Sequence, residues 1–291
     1  MRRRFLWSVY LAAALAALSL TASCSKKEPD GAAVATPSLT MDRDRVAIGS
    51  PVRLTYKFIV APGAKFDGDY WVFVHVLDPT GEQLWTDDHL PQIPTSKWTP
   101  GQTVEYVRTV FVPNYPYIGE AVVRLGLYDR SSGKRLILGG SENAALKEYP
   151  VARFQLLPQS ENIFLIYKDG WHPAEIAPED AALEWQWTKK TGSISFRNPK
   201  KDVTFYLDAD ARAELFTPPQ QITLKVNGQP FGRFAADNKD RRLQTFSVTA
   251  AQLGSGDMAE VSVETDRTFV PGGGDTRELG LRVFHAFVEP K

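Results

Sequence analysis

Apolar and polar residues alternate along much of the chain from Leu39 onward, and this period of two predicts β-strands. One face of the segment at 52–60 consists of Val52, Leu54, Tyr56, Phe58 and Val60. The segment Tyr70–Leu77 is apolar on both faces except at His75, as expected of a central strand. Similar runs at 104–112 and 121–128 are separated by turn residues such as Gly, Pro, Asn and Ser. Several short strands at this spacing predict a β-sandwich.

The second half of the chain repeats this alternation, and no long run in it has helical periodicity. Its strand candidates are Ile163–Tyr167, Leu183–Thr188, Ser193–Phe196, Val203–Leu207, Ile222–Val226, Leu243–Val248, Glu260–Glu264 and Leu281–Val288. The pair Asn227-Gly228 predicts a two-residue β-hairpin turn. Short helical turns are expected at 142–146 and 249–253.

The predicted fold class is all-β, with two tandem antiparallel β-sandwich domains. We expect an Ig-like sandwich at 38–157 and a jelly-roll-like sandwich at 161–291, because Pro158-Gln159-Ser160 reads as a hinge between two strand-rich segments. Two separate cores are also expected from the length, since 291 residues exceed the usual size of one domain.

The N-terminus has the order of a secretory signal: three arginines at positions 2–4, an uncharged apolar stretch at 5–23, and then the only cysteine, Cys24. This pattern resembles the bacterial lipoprotein signal, whose cysteine is acylated and becomes the new N-terminus. The resemblance implies a signal peptide at 1–23 and a membrane anchor on Cys24. A membrane-spanning signal anchor and an ordinary buried thiol are the alternatives. Residues 24–37 are polar or small and are predicted to form a flexible tether.

Removal of the signal peptide deletes three arginines and no acidic residue, so the formal charge changes from 0 to −3. A mildly acidic protein without a basic stripe is a poor candidate for nucleic-acid binding. The lack of any cysteine after Cys24 suits an oxidising compartment in which stability comes from core burial. We therefore expect a location in the bacterial cell envelope, outside the cytoplasm, and no nucleic-acid partner.

The motifs of common catalytic and cofactor sites are missing from the sequence. There is no Gly-x-Ser-x-Gly elbow, and the glycines at 272–274 are followed by neither a Lys-Ser/Thr pair nor a helix, so no cofactor is expected. His75, Asp88 and His89 are weak candidates for metal ligands, but their spacing matches no compact metal motif. A structural role is favoured for them, and no metal is expected.

Aromatic residues are the more suggestive signal, because sugars stack their C–H faces on aromatic rings. Trp171, Trp185 and Trp187 lie close together in the sequence, and Trp171 falls in a loop just before Glu175. Core packing is the favoured interpretation for the two strand tryptophans, whereas Trp171 is expected to be partly exposed and to line a concave site. Further on, the cluster at 275–278 either fixes its own loop or contacts sugar hydroxyls. The candidate ligand-binding residues are Trp171, Glu175, Trp187, Asp275 and Arg277.

Two sets of residues carry a resemblance to known modules. The segments at 71–78, 94–98 and 126–129 resemble a β-sandwich module found at the soluble ends of bacterial membrane-bound glycosyltransferases of the dolichyl-phosphate-mannose-protein mannosyltransferase type. The segments at 170–175 and 269–280 resemble a jelly-roll module and are similar to galactose-binding-like sandwiches. The resemblance implies an accessory or glycan-contacting role.

The sequence therefore favours a lipid-anchored envelope protein that binds, or scaffolds the handling of, surface carbohydrate without catalysis. One alternative is an interaction protein that docks onto an envelope assembly through its sheet edges or exposed patches. Another is a glycoside hydrolase, for which Glu175 and Glu184 would be the first carboxylates to consider. Exposed aromatic residues in a groove would favour the carbohydrate-binding hypothesis. A flat apolar patch would favour a protein partner, and two carboxyl groups facing each other across a cleft would favour a glycoside hydrolase.

Overall fold

The computed structural model describes residues 31–140, 146–237 and 239–291. About 52% of the chain is strand and 6% is helix, which confirms the all-β prediction. The predicted signal peptide and the first half of the predicted tether, including Cys24, lie outside the described residues, as does most of the helical turn expected at 142–146. Within the described ranges, no helix is long and apolar enough to span a membrane.

The N-terminal sandwich consists of eight strands in two sheets. They are β1 (Ala35–Met41), β2 (Arg45–Ala47), β3 (Pro51–Val60), β4 (Trp71–Leu77), β5 (Gln83–Thr86), β6 (Thr103–Phe111), β7 (Gly119–Tyr128) and β8 (Tyr149–Leu157). One sheet has the order β1-β3-β6 and the other β2-β8-β7-β4-β5. The pairing of β2 with β8 is parallel and adds one parallel edge to an otherwise antiparallel sandwich.

Strand β1 begins earlier than the predicted start of the first domain at residue 38. Ala35 is only 1% exposed and pairs with Val60 of β3, and the Val34 N–H donates to the Ile137 carbonyl. The small residues here read as tether because they contribute little apolar surface, yet their backbone completes a sheet edge. From Ala35, β1 runs to Met41, beside the turn that contains Asp42.

The core of the N-terminal sandwich encloses a small polar cluster. The His89 ring hydrogen-bonds through Nε2 to the Tyr106 hydroxyl and through Nδ1 to the Asp87 carbonyl, both at 2.8 Å. Because a carbonyl can only accept, Nδ1 carries the proton of the neutral ring and Nε2 accepts from tyrosine. Arg108 forms a two-point ion pair with the Asp87 carboxylate, at 2.7 and 3.2 Å. Both ring nitrogens of the neutral His89 imidazole therefore have a hydrogen-bond partner.

Acidification is expected to destabilise this sandwich through His89. Burial, reinforced by the Arg108 charge, lowers the pKa of His89 below its usual value near 6.5. As pH falls below about 6.5, the unfolded chain binds a proton that the folded chain does not, so the free energy of unfolding decreases. Urea denaturation at pH 7.5 and 5.5 measures this loss, and His89→Gln should reduce the difference. An unchanged difference in the variant would exclude His89 as a cause.

The C-terminal sandwich contains ten strands in two five-stranded sheets. They are β9 (Leu165–Tyr167), β10 (Glu175–Ala177), β11 (Asp180–Trp187), β12 (Thr191–Arg197), β13 (Val203–Asp210), β14 (Gln220–Val226), β15 (Gln229–Ala236), β16 (Arg242–Val248), β17 (Met258–Thr265) and β18 (Arg282–Pro290). The sheet orders are β10-β11-β18-β13-β16 and β15-β14-β17-β12-β9. The hairpin predicted at Asn227-Gly228 is confirmed, since Val226 pairs with Gln229 across a turn in which both residues have positive φ. A short helix, α1 (Ala250–Leu253), follows a capping box formed by Thr249 and Gln252.

Each sandwich has its own hydrophobic core, and the two cores share no residue. The sandwiches meet along the outer face of the sheet that contains β13 and β18. Phe111 packs there against the rings of Tyr206, His285 and Phe287, with centroid distances of 6.2, 4.3 and 6.4 Å. Beside this contact, the Asn162 side chain donates to the Ile48 carbonyl at 2.8 Å.

Candidate functional site

Three of the sequence-predicted site residues come together at one end of the C-terminal sandwich. Glu175 begins β10 and lies opposite Trp185 in the sheet. Arg277 contacts the Glu175 carboxylate through Nη1 at 2.6 Å and the Asp275 carboxylate through Nη2 at 2.7 Å. These contacts link a loop before β18 to the edge strand β10.

The cluster is largely satisfied internally. Arg277 also donates through Nε to both oxygens of Asp275, and the Trp185 indole donates to the second oxygen of Glu175 at 3.2 Å. Hydrogen bonds from Arg277 lower the pKa of Asp275 to about 2, so the pair stays ionised near neutral pH. Such an arrangement fixes the loop and leaves few free donors for a ligand.

The two candidate tryptophans, Trp171 and Trp187, both pack against other rings of the C-terminal sandwich. Trp187 is 5% exposed and packs edge-on against Phe269 at 5.6 Å, which places it in the interior. Trp171 is half-buried and packs against the C-terminal core. Its indole donates to the Ser193 carbonyl at 2.9 Å and lies edge-on to Tyr167. The favoured core position of Trp187 agrees with the structure, and Trp171 is partly exposed but lines none of the cavities described.

The half-buried rings next to them are covered by guanidinium groups. Arg282 lies over Trp185 at 5.3 Å and over Phe284 at 5.1 Å, while Arg241 lies over Phe284 at 4.6 Å. Both arginines are ion-paired with aspartates of β13, Arg282 with Asp210 and Arg241 with Asp208. These cation–π contacts occupy ring faces on which a sugar would otherwise stack.

The weak metal candidates do not converge. His75 Nδ1 lies 3.4 Å from Glu148, Asp88 accepts from the Val74 N–H and the Tyr128 hydroxyl, and His89 belongs to the buried cluster with Tyr106. In the part of the chain that the structure covers, no three His, Cys, Asp or Glu side chains form a group able to hold a metal ion.

A different site lies between the two sandwiches, and we call it the interdomain cleft. It is a cavity of about 350 Å³ lined by Asp42, Arg43, Pro51, Arg53, Thr109, Thr204, Tyr206, Thr245 and Glu289. One wall is the outer face of β3 and β6, and the other is the outer face of β13, β16 and β18. Because Phe111 holds the two faces together through Tyr206, the cleft opens directly beside the aromatic junction.

Arg43 is shared by the two carboxylates of the cleft. Its guanidinium contacts Asp42 at 3.0 Å and also pairs with Glu289 of the other sandwich. The remaining oxygens are used as well, since the Arg53 backbone N–H donates to Asp42 at 3.0 Å and the Tyr206 hydroxyl donates to Glu289 at 2.6 Å. Burial and the bond to Glu289 raise the pKa of Tyr206, so its hydroxyl stays protonated.

Four polar side chains of the cleft remain without a side-chain partner among the described residues: those of Arg53, Thr109, Thr204 and Thr245. Each occupies an outward position of a strand that alternates polar and apolar residues. The sequence shows that these positions face away from a core. It does not show that outward faces from both halves of the chain oppose each other, so the cleft was missed.

No protein-family profile matches the chain, and no curated protein matches it. Similarity to solved structures is low. A β-glucuronidase of Bacteroides uniformis is 10% identical with a TM-score of 0.31, over 88% of this chain and 30% of that one. The CBM51-2 and INT domains of Clostridium perfringens ZmpB are 9% identical with a TM-score of 0.24, over 61% and 39%.

An α-2-macroglobulin of Escherichia coli is 12% identical with a TM-score of 0.24, over 91% of this chain and 16% of that one. The chain thus spans less than half the length of each of these three structures. Likeness at these TM-scores supports no inference about function.

Proposed function

We propose that this protein is a lipid-anchored protein of the bacterial cell envelope that binds carbohydrate in the interdomain cleft without catalysing a reaction on it. The observation that carries the proposal is the composition of the cleft: an aromatic ring, three threonine hydroxyls and two guanidinium groups line one cavity. Hydroxyls and guanidinium groups supply the hydrogen bonds that sugar hydroxyls require.

The size and shape of the cleft fit this ligand class. A volume of about 350 Å³ lies at the lower end of the range of small-molecule sites and suits one or two sugar rings. Tyr206 is half-buried and contributes an apolar ring beside polar walls. A sugar, with an apolar C–H face and a polar rim, matches this combination.

The carboxylates of the cleft support binding rather than hydrolysis. Glycosidases need one carboxyl group that protonates the leaving oxygen and a second that acts as a base or nucleophile. Here Asp42 and Glu289 share one guanidinium, and Glu289 also accepts from Tyr206. Glu289 therefore joins the two walls through Arg43, and Asp42 holds Arg43 in place on the N-terminal wall.

The proposed location rests on the lipoprotein-like segment that ends at Cys24, and the proposed accessory role agrees with the resemblance to modules of envelope glycosyltransferases. The path of the chain is compatible with the proposed location and with the proposed accessory role. The described chain enters the N-terminal sandwich at one end of β1, and the cleft lies beyond the other end, next to Asp42. A tether before β1 would leave the cleft accessible.

Filling the cleft should weaken sugar binding. Thr109→Trp places an indole in the cavity and is expected to weaken binding about tenfold or more, because the bulky ring competes for the ligand's space. The wild-type protein is first screened on a glycan array, and the affinity of the best hit is then measured by calorimetry for both proteins.

Thr103→Trp is the matched control. Thr103 is exposed and lies on the same face of β6, six residues and therefore about 20 Å from Thr109. This variant should bind like the wild type. Equal affinity in both tryptophan variants would show that the cleft is not the site, and no array hit at all would overturn the proposed function.

A further inference from the structure

In the interdomain cleft the carboxylates already have partners, whereas several hydrogen-bond donors do not. Three of the four carboxylate oxygens of Asp42 and Glu289 accept hydrogen bonds, from Arg43, the Arg53 backbone N–H and the Tyr206 hydroxyl. The fourth, Glu289 Oε1, is buried against the Arg43 guanidinium and accepts no hydrogen bond. The charge of Arg43 is already shared between these two carboxylates. Each carboxylate oxygen is therefore already in contact with an ion-pair or hydrogen-bond partner, unlike the polar side chains on the rest of the lining.

The groups that remain free are one cation and three hydroxyls. Arg53 is exposed on β3 and lies directly across the ladder from Thr109 of β6. Thr204 and Thr245 stand on the opposite wall. None of these four side chains has a side-chain partner among the described residues. The cleft thus offers an unpaired guanidinium that faces hydroxyl groups of the other sandwich.

We infer that the ligand of the cleft is a sugar that carries an anionic group, with the anion on Arg53 and the sugar hydroxyls on the three threonines. This inference rests on the proposed carbohydrate function and adds the class of sugar. A guanidinium pairs with a carboxylate through two parallel N–H···O bonds, which fixes orientation as well as affinity. A neutral sugar would leave the two-point hydrogen-bonding edge of the Arg53 guanidinium unused.

Competing ligand classes fit less well. A cationic ligand would meet Arg53 with no free carboxylate to bind it, since Asp42 and Glu289 are already paired. A polyanion such as a nucleic acid needs a row of cations, whereas one unpaired guanidinium lines this cavity. A small sugar with one negative charge offers an anion to Arg53 and hydroxyl groups to the three threonines.

The test compares three small probes on the full-length protein in a detergent without a sugar headgroup. Methyl β-D-glucuronide carries a carboxylate, glucose 1-phosphate carries a phosphate, and methyl β-D-glucoside is neutral. Saturation-transfer NMR and calorimetry measure their affinities for the wild type, Arg53→Gln, Arg53→Lys and the control Arg233→Gln. Arg233 is an exposed arginine of β15 in the C-terminal sandwich and does not line the cleft.

We expect the wild type to bind an anionic probe about tenfold or more tightly than the neutral glucoside, as for a charge-assisted hydrogen bond. Arg53→Gln should lower the affinity for the anionic probe to that of the neutral one and leave the neutral probe within about twofold. Arg53→Lys should retain part of the preference, because it keeps the charge and loses the fork. The control should match the wild type, and thermal melting should show that all variants are folded.

The possible outcomes distinguish failure of the anionic-sugar inference from failure of the proposed carbohydrate function. Equal binding of anionic and neutral probes, or a preference that survives in Arg53→Gln, overturns the inference and leaves the carbohydrate function standing. Failure of all three probes, together with a failed glycan array, overturns both. A preference for phosphate over carboxylate that depends on Arg53 supports the pairing and assigns the anion to the phosphate class.

Discussion

Gly170→Ala is expected to destabilise the C-terminal sandwich by about 2–5 kcal/mol, because it combines backbone strain with a steric clash. Gly170 has a φ of +82°, and a Cβ atom at this position would lie 1.8 Å from the Thr191 carbonyl oxygen. Backbone atoms on both sides of the contact must move to relieve it. Urea denaturation followed by tryptophan fluorescence measures the loss.

Gly228→Ala separates the two contributions. Gly228 has nearly the same φ, +80°, but nothing lies within 4 Å of its Cβ position. Only the cost of the left-handed conformation remains, about 1–2 kcal/mol. If both variants lost the same free energy of unfolding, the close approach of Gly170 to the Thr191 carbonyl would contribute nothing.

Cys24→Ala is expected to abolish acylation completely and to leave an unprocessed precursor. Only a cysteine offers the thiol that is acylated in proteins with this kind of signal, and Cys24 is the single cysteine of the chain. Two or more acyl chains are needed for stable anchoring, so the variant should also be lost from the lipid-anchored fraction. Labelling with a radioactive or clickable fatty acid, followed by electrophoresis, gives the result directly.

Ser25→Ala is the control, since it alters the next residue and keeps the thiol. It should be labelled and processed like the wild type. Undiminished labelling of the Cys24→Ala protein would contradict the lipoprotein hypothesis and with it the proposed mode of anchoring.

The strands were predictable where alternation is local and long. The run at 52–60 corresponds to β3 (Pro51–Val60), and the run at 104–112 corresponds to β6 (Thr103–Phe111). Such a strand can be predicted from neighbouring residues alone, because one of its faces packs on a core and every second residue is therefore apolar. The start of β1 at Ala35 was missed, because its first residues are small and its place depends on pairing with a distant strand.

The candidate site was harder to predict, because it depends on which side of a sheet each residue faces and on what covers that side. Glu175, Asp275 and Arg277 meet as a compact ion-paired group, as expected if the cluster fixes its own loop. The exposure of Trp171 could not be read from its loop position. Its indole packs close to Gly192, where a Cβ atom would lie 2.8 Å from the ring.

Thermodynamic linkage follows from the position of the cleft between two sandwiches that each have their own core. A ligand that touches both walls binds more tightly when the two sandwiches are docked than when they are apart. By linkage, the bound ligand shifts the equilibrium between the separated and docked sandwiches toward docking by the same factor. Asn162, which lines no part of the cleft but bonds to the Ile48 carbonyl across the junction, then becomes an affinity determinant. Weakening that hydrogen bond would lower the affinity for a ligand that Asn162 never contacts.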